Sequence, residues 1–273
     1  MKGRGKGGGG AENGGRENRP RPAAPSDDAA AVTRPTFEEA GQARAQPSTP
    51  LVAAALGGDT LVTEQFRLLR ARVRGINETR PFRCFGIGSA ASGEGKTSVA
   101  VALAAALGQE PGRRVLLLEA DLRKPSVDAY LGLARTPGLV EWLEGKGASV
   151  SVRRVLPGGF FLLSAGVAAL QNPEVLGSAR MAGLLEAARQ SFDTVVVDCP
   201  PILPVADAVV LQDLVDGLLV VVRARHTPRE TVLKGLSMLK PDRVQGLVFN
   251  DHHEILTRYY SYGYGYGRYT EGS

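Results

Sequence analysis

The chain has 273 residues, 43% of them hydrophobic and 22% charged, with 33 Lys and Arg against 28 Asp and Glu for a net charge of +5. That length suits one large domain with appendages. Cys84 and Cys199 are too few for a disulfide framework or a thiolate zinc site, and the dispersed positive excess leaves no nucleic-acid footprint.

Residues 1–50 are dominated by Gly, Pro, Ala and charge, with Val32 and Phe37 almost the only bulky apolar side chains. Such a stretch buries too little surface to offset chain entropy, so a disordered tail is expected there. Met1-Lys2-Gly3-Arg4 is followed by Gly and polar residues where a secretory leader would place an apolar run, and the 209–222 run is broken by Asp213 and Asp216. A cytoplasmic chain without a membrane span is the expectation.

From residue 51 the composition changes. Residues 82–89 read as a strand, 96–107 as a helix, 115–119 as a strand, 138–143 as a short helix and 160–163 as a strand. A helix over 181–190, strands over 194–198 and 218–223, a helix over 228–239 and a strand over 244–250 complete the series. Near-continuous Val and Leu strands separated by helices predict a mostly parallel sheet covered on both faces, a three-layer α/β domain over residues 51–250. Residues 251–273 leave the core pattern and hold Tyr259, Tyr260, Tyr262, Tyr264, Tyr266 and Tyr269, six of the chain's seven tyrosines, spaced by Ser and Gly. A flexible tail is expected there.

The segment Ser89-Ala90-Ala91-Ser92-Gly93-Glu94-Gly95-Lys96-Thr97-Ser98 leaves a strand and opens a helix. This is the context of a P-loop: glycines let backbone N–H groups curl around phosphate oxygens, and the helix N-terminus adds partial positive charge. Ala90 stands where the usual pattern has its first glycine. Lys96 is placed to reach the β- and γ-phosphates, and the Thr97 hydroxyl to ligate Mg²⁺, a hard cation that prefers oxygen.

Two other strands end in acids. Val115-Leu-Leu-Leu-Glu119-Ala120-Asp121-Leu122-Arg123 places two carboxylates at i and i+2, and Asp198-Cys-Pro-Pro201 closes another strand. Ligands of open α/β sheets bind beyond the carboxyl ends of the strands, where Glu119, Asp121 and Asp198 converge with the loop. Taken singly each acid is an ordinary strand terminus or cap; their coincidence with the P-loop points to Mg-nucleotide chemistry. Asn250 ends the last strand, either as a turn residue or at the position where related P-loop ATPases contact adenine. His252 and His253 lack the further ligands a metal site needs, His226 follows a strand and reads as a loop residue, and Cys199 reads as a small buried filler.

With these motifs the chain resembles the bacterial tyrosine kinases, cytoplasmic P-loop autokinases of capsule and exopolysaccharide assembly. The resemblance spans about residues 51–273: the loop, an acidic strand end at residues 119–123 like the family's second Walker A motif, the Asp198-x-Pro-Pro Walker B, and the C-terminal tyrosines. Glu64-Gln-Phe-Arg67-Leu-Leu-Arg70 fits the family's E-x-x-R-x-x-R oligomerisation motif, and helical spacing puts Glu64, Arg67 and Arg70 near one face. Two residues depart from the family: Glu119 stands where an Asp is usual, and Ser92 replaces a common Pro.

The resemblance implies ATP and Mg²⁺ on the loop, with Ser92, Gly93, Glu94, Gly95, Lys96, Thr97, Ser98, Arg123 and Asn250 around the nucleotide. It implies Thr97 on the metal directly, with Asp121 and Asp198 reaching it through water. Either Glu119 or Asp121 accepts the tyrosine proton. It further implies in-trans modification of the tail tyrosines within a homo-oligomeric ring, a separate membrane chain-length regulator that recruits the kinase to the inner face of the membrane, and a cognate phosphotyrosine phosphatase. The competing readings are a MinD/ParA-like spatial-organising ATPase, whose signature lysine position is Ala91 here, and a non-catalytic nucleotide-gated scaffold.

Overall fold

The computed structural model describes Met1 and residues 33–57, 61–167 and 173–251. Chain packing divides the protein into Met1–Ala31 and Val32–Ser273, and all the strands of the sheet lie in the second unit. In chain order the elements are β1 (Thr36–Arg44), α1 (Pro50–Gly57), α2 (Leu61–Thr79), β2 (Cys84–Ser89), α3 (Lys96–Gly108), β3 (Val115–Glu119), α4 (Val127–Leu131) and α5 (Leu139–Leu143). They continue with β4 (Ser149–Leu156), β5 (Phe160–Leu163), α6 (Ala179–Ser191), β6 (Thr194–Asp198), α7 (Asp207–Leu211), β7 (Gly217–Arg223), α8 (Arg229–Ser237) and β8 (Val244–Asn250).

The eight strands form one sheet in the order β1-β4-β5-β3-β6-β2-β7-β8. Every neighbouring pair is parallel except β4 with β5. The middle strands β3, β6 and β2 are buried at every residue, which is why they read in the sequence as unbroken apolar runs rather than alternations. Two apolar clusters fill the space on either face. One holds Leu116, Leu118, Val195 and Val197 with Trp142, Met181 and Leu184; the other holds Leu117, Val196, Phe85 and Ile87 with the α3 residues Val99, Leu103 and Leu107. The expected three-layer α/β P-loop fold with a mostly parallel sheet is the fold observed.

Helix α3 is enclosed on all sides, with Lys96, Thr97 and every residue from Val99 to Leu107 buried. Five of its residues from Ala100 to Ala106 are alanines, and small side chains allow a helix to sit close against a sheet. Among the described residues no helix is long and apolar enough to cross a membrane.

The start of the domain requires a correction. The disordered tail was expected to run to residue 50, but residues 36–44 form β1, which pairs in parallel with β4 from Thr36↔Ser149 to Arg44↔Leu156. The strand is mostly exposed and is held by backbone pairing and two anchors. Phe37 packs edge-on against Phe192 at 5.2 Å, and Glu39 pairs with Arg114 at 3.1 Å. Residues 2–32 and the expected tyrosine tail beyond Asp251, including His252 and His253, lie outside the described residues.

Candidate nucleotide site

The central strands β2, β3 and β6 run side by side and in parallel, so their carboxyl ends meet at one edge of the sheet. Register fixes the arrangement: Glu119 lies opposite Asp198, and Asp198 opposite Ile87. Chain residues 90–95 leave β2 at this edge and enter α3. Gly93 and Gly95 have φ of 83° and 91°, the left-handed region that side chains other than hydrogen rarely adopt. At Gly95 a Cβ would lie 2.1 Å from the Asn250 side-chain nitrogen, so both the turn and the approach require glycine.

The loop is braced by Glu94, which no motif sets apart from its neighbours in the chain. Buried at 2% exposure, its carboxylate accepts from the Ala91 N–H at 2.6 Å and from the Thr227 hydroxyl at 2.5 Å. The Asn250 amide donates to the Glu94 carbonyl at 3.0 Å. Ser92 and Gly93 are exposed at the tip, and Ser98 is half-buried in the first turn of α3.

Behind the loop, Lys96 Nζ lies 2.7 Å from Asp121 Oδ2 and 3.7 Å from Asp198 Oδ1. The Thr97 hydroxyl donates to Asp198 Oδ2 at 2.8 Å. Burial works to strip the Lys96 proton, but the Asp198 and Asp121 carboxylates outweigh it and raise the pKa above the ordinary lysine value. Burial lifts Asp198 to about 6, against the pull of Lys96 and the Thr97 hydroxyl. Asp198 Oδ1 is buried without a hydrogen-bond partner; the Lys96 ammonium 3.7 Å away faces it at ion-pair distance only, which leaves the oxygen free to accept a hydrogen bond from a ligand or a bound water.

Glu119 sits at 1% exposure. Its Oε1 accepts from the N–H groups of Ser126 and Val127 at 2.5 and 2.7 Å, and its Oε2 from the N–H of Ala165 at 3.1 Å. Burial raises it to about 7 while those amides oppose the rise. Arg123 grips both oxygens of Asp207, Nε to Oδ2 at 2.8 Å and an NH2 nitrogen to Oδ1 at 3.4 Å, and stays 43% exposed. The hydrogen bond to Asp207 holds its pKa above the usual arginine value.

The structure thus brings Lys96, Thr97, Asp121 and Asp198 into one cluster, places Asn250 on the loop's backbone, and sets Arg123 at the rim. Sequence reasoning missed Asp207, Thr227 and Ser126, whose hydroxyl is 3.5 Å from that of Thr97; no motif marks them, and each arrives through tertiary packing. The α2 motif divides. Glu64 and Arg67 pair with each other on the exposed face, whereas Arg70 turns inward, donating to the Ala106 carbonyl at 2.7 Å and lying 3.3 Å from Glu110.

Fold and site define a P-loop nucleotide-binding protein, and a family model described as ParA, NUBPL iron-transfer P-loop NTPase, matches residues 83–257. Within that class, the tyrosine-protein kinase YwqD of Bacillus subtilis is 33% identical over 208 residues, covering 75% of this chain and 86% of the relative. The chain belongs to the bacterial tyrosine-protein kinase family. The kinase domain of the Escherichia coli tyrosine kinase ETK superposes with a TM-score of 0.67 at 30% identity, over 74% of this chain and 79% of that one. The succinoglycan biosynthesis transport protein ExoP of Rhizobium meliloti is 39% identical over 178 residues, 62% of this chain; the match spans only 22% of that longer relative.

Proposed function

We propose that this protein is an ATP-dependent protein-tyrosine autokinase that phosphorylates tyrosines of its own C-terminal segment in trans. The observation that carries the reading is the Lys96 ammonium, buried at the head of α3 and charged by Asp121 and Asp198. A triphosphate entering the loop offers that ammonium oxygens of higher charge density, so Lys96 is drawn from the carboxylates to the β- and γ-phosphates. Helix α3 adds its N-terminal dipole from behind. Phosphoryl transfer asks the protein mainly for positioning and electrostatic stabilisation, and this rigid, water-poor cluster is suited to both.

The donor set also fits Mg²⁺. The Thr97 hydroxyl and the Asp198 carboxylate, whose Oδ1 makes no hydrogen bond, are hard oxygen groups suited to the ion and to its waters. Mg²⁺ keeps several waters and shares its shell with substrate phosphates, so it needs few protein ligands. When bound, Mg²⁺ would neutralise developing charge on the transferred group. Thr97 would hold it directly, with Asp121 and Asp198 orienting its waters. Arg123 would meet the phosphates at the rim, and Asn250 would border the base.

The tail tyrosines are the proposed acceptors: Gly and Ser spacing suits phenols that must enter a neighbour's site. Each phosphate adds about −1.5 to −2 charge, so six place on the order of ten negative charges on each tail, and repulsion loosens a ring of copies held through Glu64 and Arg67. By analogy with relatives named for polysaccharide transport, the role is control of capsule or exopolysaccharide export. The kinase is recruited to the membrane's inner face by a separate chain-length regulator and reset by a phosphotyrosine phosphatase. Incubation of the full chain with ATP and Mg²⁺, followed by anti-phosphotyrosine detection, tests the reading. Signal in the wild type, and none for Lys96→Ala or for a chain ending at Asn250, is the expected result. The ParA-type family match supports a second reading, a switch ATPase; it expects nucleotide hydrolysis with no phosphotyrosine.

A further inference from the structure

Resting on the kinase reading, we infer that Glu119 acts as a positioning residue: its carboxylate closes residues 119–127 into a ring that sets where Asp121 and Arg123 stand, and it does not accept the substrate's proton. The inference starts from what surrounds the side chain. An ionised carboxylate offers about four lone-pair directions. Three are taken by the N–H groups of Ser126, Val127 and Ala165, in a site with 1% exposure. One direction is left, but the side chain is almost wholly enclosed, and a phenol could reach it only by parting the backbone at residues 126–127 or 165, which would strand an amide without a partner.

Those amides come from two separate stretches of chain, and both are fixed again on their far sides. Ala165 and Ser164, at the exit of β5, accept through their carbonyls from the N–H groups of Val140 and Leu139 at 2.8 and 2.9 Å. Just beyond Val127, Asp128 Oδ1 accepts from Arg153 at 2.5 Å and from the Ser164 hydroxyl at 2.9 Å. Arg153 in turn donates to the Ala134 carbonyl at 2.8 Å. Glu119 is the point where β3, the exit of β5 and the start of α4 are joined.

Inside the ring the geometry follows from the closure. The Lys124 N–H donates to Asp121 Oδ1 at 3.2 Å, leaving Oδ2 directed at Lys96. Ser126 is carried to within 3.5 Å of the Thr97 hydroxyl. Side-chain length matters: Glu exceeds Asp by one methylene, and that reach lets a single carboxylate touch residues 126–127 on one oxygen and residue 165 on the other.

Three variants of the full chain, Glu119→Gln, Glu119→Asp and Glu119→Ala, separate positioning from proton transfer. The Gln carbonyl oxygen can still accept from Ser126 and Val127, although its NH2 group leaves the Ala165 N–H without an acceptor, so the 119–127 ring stays closed while the link to β5 is lost; Asp is too short to span the gap at all. Positioning therefore places Glu119→Gln within about tenfold of the wild type in phosphotyrosine formation. It places Glu119→Asp and Glu119→Ala down by about a hundredfold, with KM for ATP raised as Arg123 drifts. Proton acceptance gives the opposite order, with Asp active and Gln as poor as Ala. The second readout is independent of activity: backbone hydrogen exchange in the nucleotide-free protein. Slow exchange at Ser126 and Val127 is expected in the wild type and Glu119→Gln, and fast exchange in Glu119→Asp and Glu119→Ala. Loss of transfer in Glu119→Gln with those amides still protected overturns the inference, as does unchanged exchange in Glu119→Ala. A wild type that makes no phosphotyrosine defeats the kinase reading instead, and the exchange pattern still decides whether the ring exists.

Discussion

The side-chain amide of Asn250 donates to the backbone carbonyl of Glu94 at 3.0 Å, so the last residue of β8 rests on the P-loop. The contact is possible because Gly95 has no side chain to occupy the same space. Gly95→Ala is expected to weaken nucleotide binding more than tenfold, through about 1–2 kcal/mol of left-handed backbone strain and displacement of Asn250. Adding Asn250→Ala should relieve only the collision. Fluorescent-nucleotide titration of the two single variants and the double variant checks this; full recovery in the double variant would show that backbone strain is negligible.

Arg123 and Asp207 form a fork at the rim of the site. Because Arg123 is 43% exposed, the pair adds less than about 1 kcal/mol to stability. Its effect should appear in function. Asp207→Asn frees the guanidinium from a fixed heading, and kcat/KM for ATP is expected to drop by about tenfold, the equivalent of one charge-assisted hydrogen bond, while the melting temperature stays nearly unchanged. A large fall in melting temperature would assign the pair to folding instead.

Lys96 holds two acids apart from each other's repulsion. Lys96→Met leaves Asp121 and Asp198 buried without their cation, and removal of one partner from a buried pair costs about 3–5 kcal/mol. Because burial already lifts Asp198 to about 6, lowering the pH lets it take up a proton. The variant should therefore regain stability on going from about pH 8 to about pH 6. Denaturant titration at the two pH values tests this, and equal stability at both would refute it.

Glu119 gives the nucleotide-free wild type a pH dependence of definite sign. Its folded-state pKa is raised from 4.5 to about 7. Between those values the native protein retains a proton that the unfolded chain has released, so unfolding free energy falls as pH rises and levels off above the folded pKa. The change is on the order of 3–4 kcal/mol at most, and Asp198, raised from 3.8 to about 6, adds in the same direction. Chemical denaturation from about pH 5 to about pH 8 should show this decline, with a shallower slope in Glu119→Gln.

How much of this could be read from the chain depended on where each signal resides. The bounds of β3 and β6 were legible to the residue because strands buried on both faces are continuous runs of Val and Leu. Lys96 and Thr97 were legible because a glycine loop between strand and helix has few other uses. Strand β1 was not: almost all its side chains face solvent, and its partner β4 lies far along the chain. Helices α4 and α7 were not legible either: each is five residues long with an Asp and an Ala among its residues, whereas the equally short α5 is the more apolar Leu-Val-Glu-Trp-Leu. Asp207 stands 84 positions from Arg123 and Thr227 stands 133 from Glu94, separations that no local pattern bridges. Glu119 ends β3 opposite Asp198, as its strand-end position suggests, but its three amide partners, at residues 126, 127 and 165, are joined by no local pattern.

Helix α3 has neighbours on every side, and that enclosure decides where catalytic motion can occur. A cylinder packed all round cannot turn or slide without opening voids along its length, so the backbone beneath Lys96 is an anvil fixed to the sheet. Adjustments to an arriving nucleotide must then fall on the rim: the Arg123 segment, the turn bearing Thr227, and the Asn250 strand end from which the tyrosine segment departs. Enlarging a single buried alanine, such as Ala102 or Ala105, would lift the anvil and disturb phosphate binding from one helical turn or more away, without altering any group that touches the ligand.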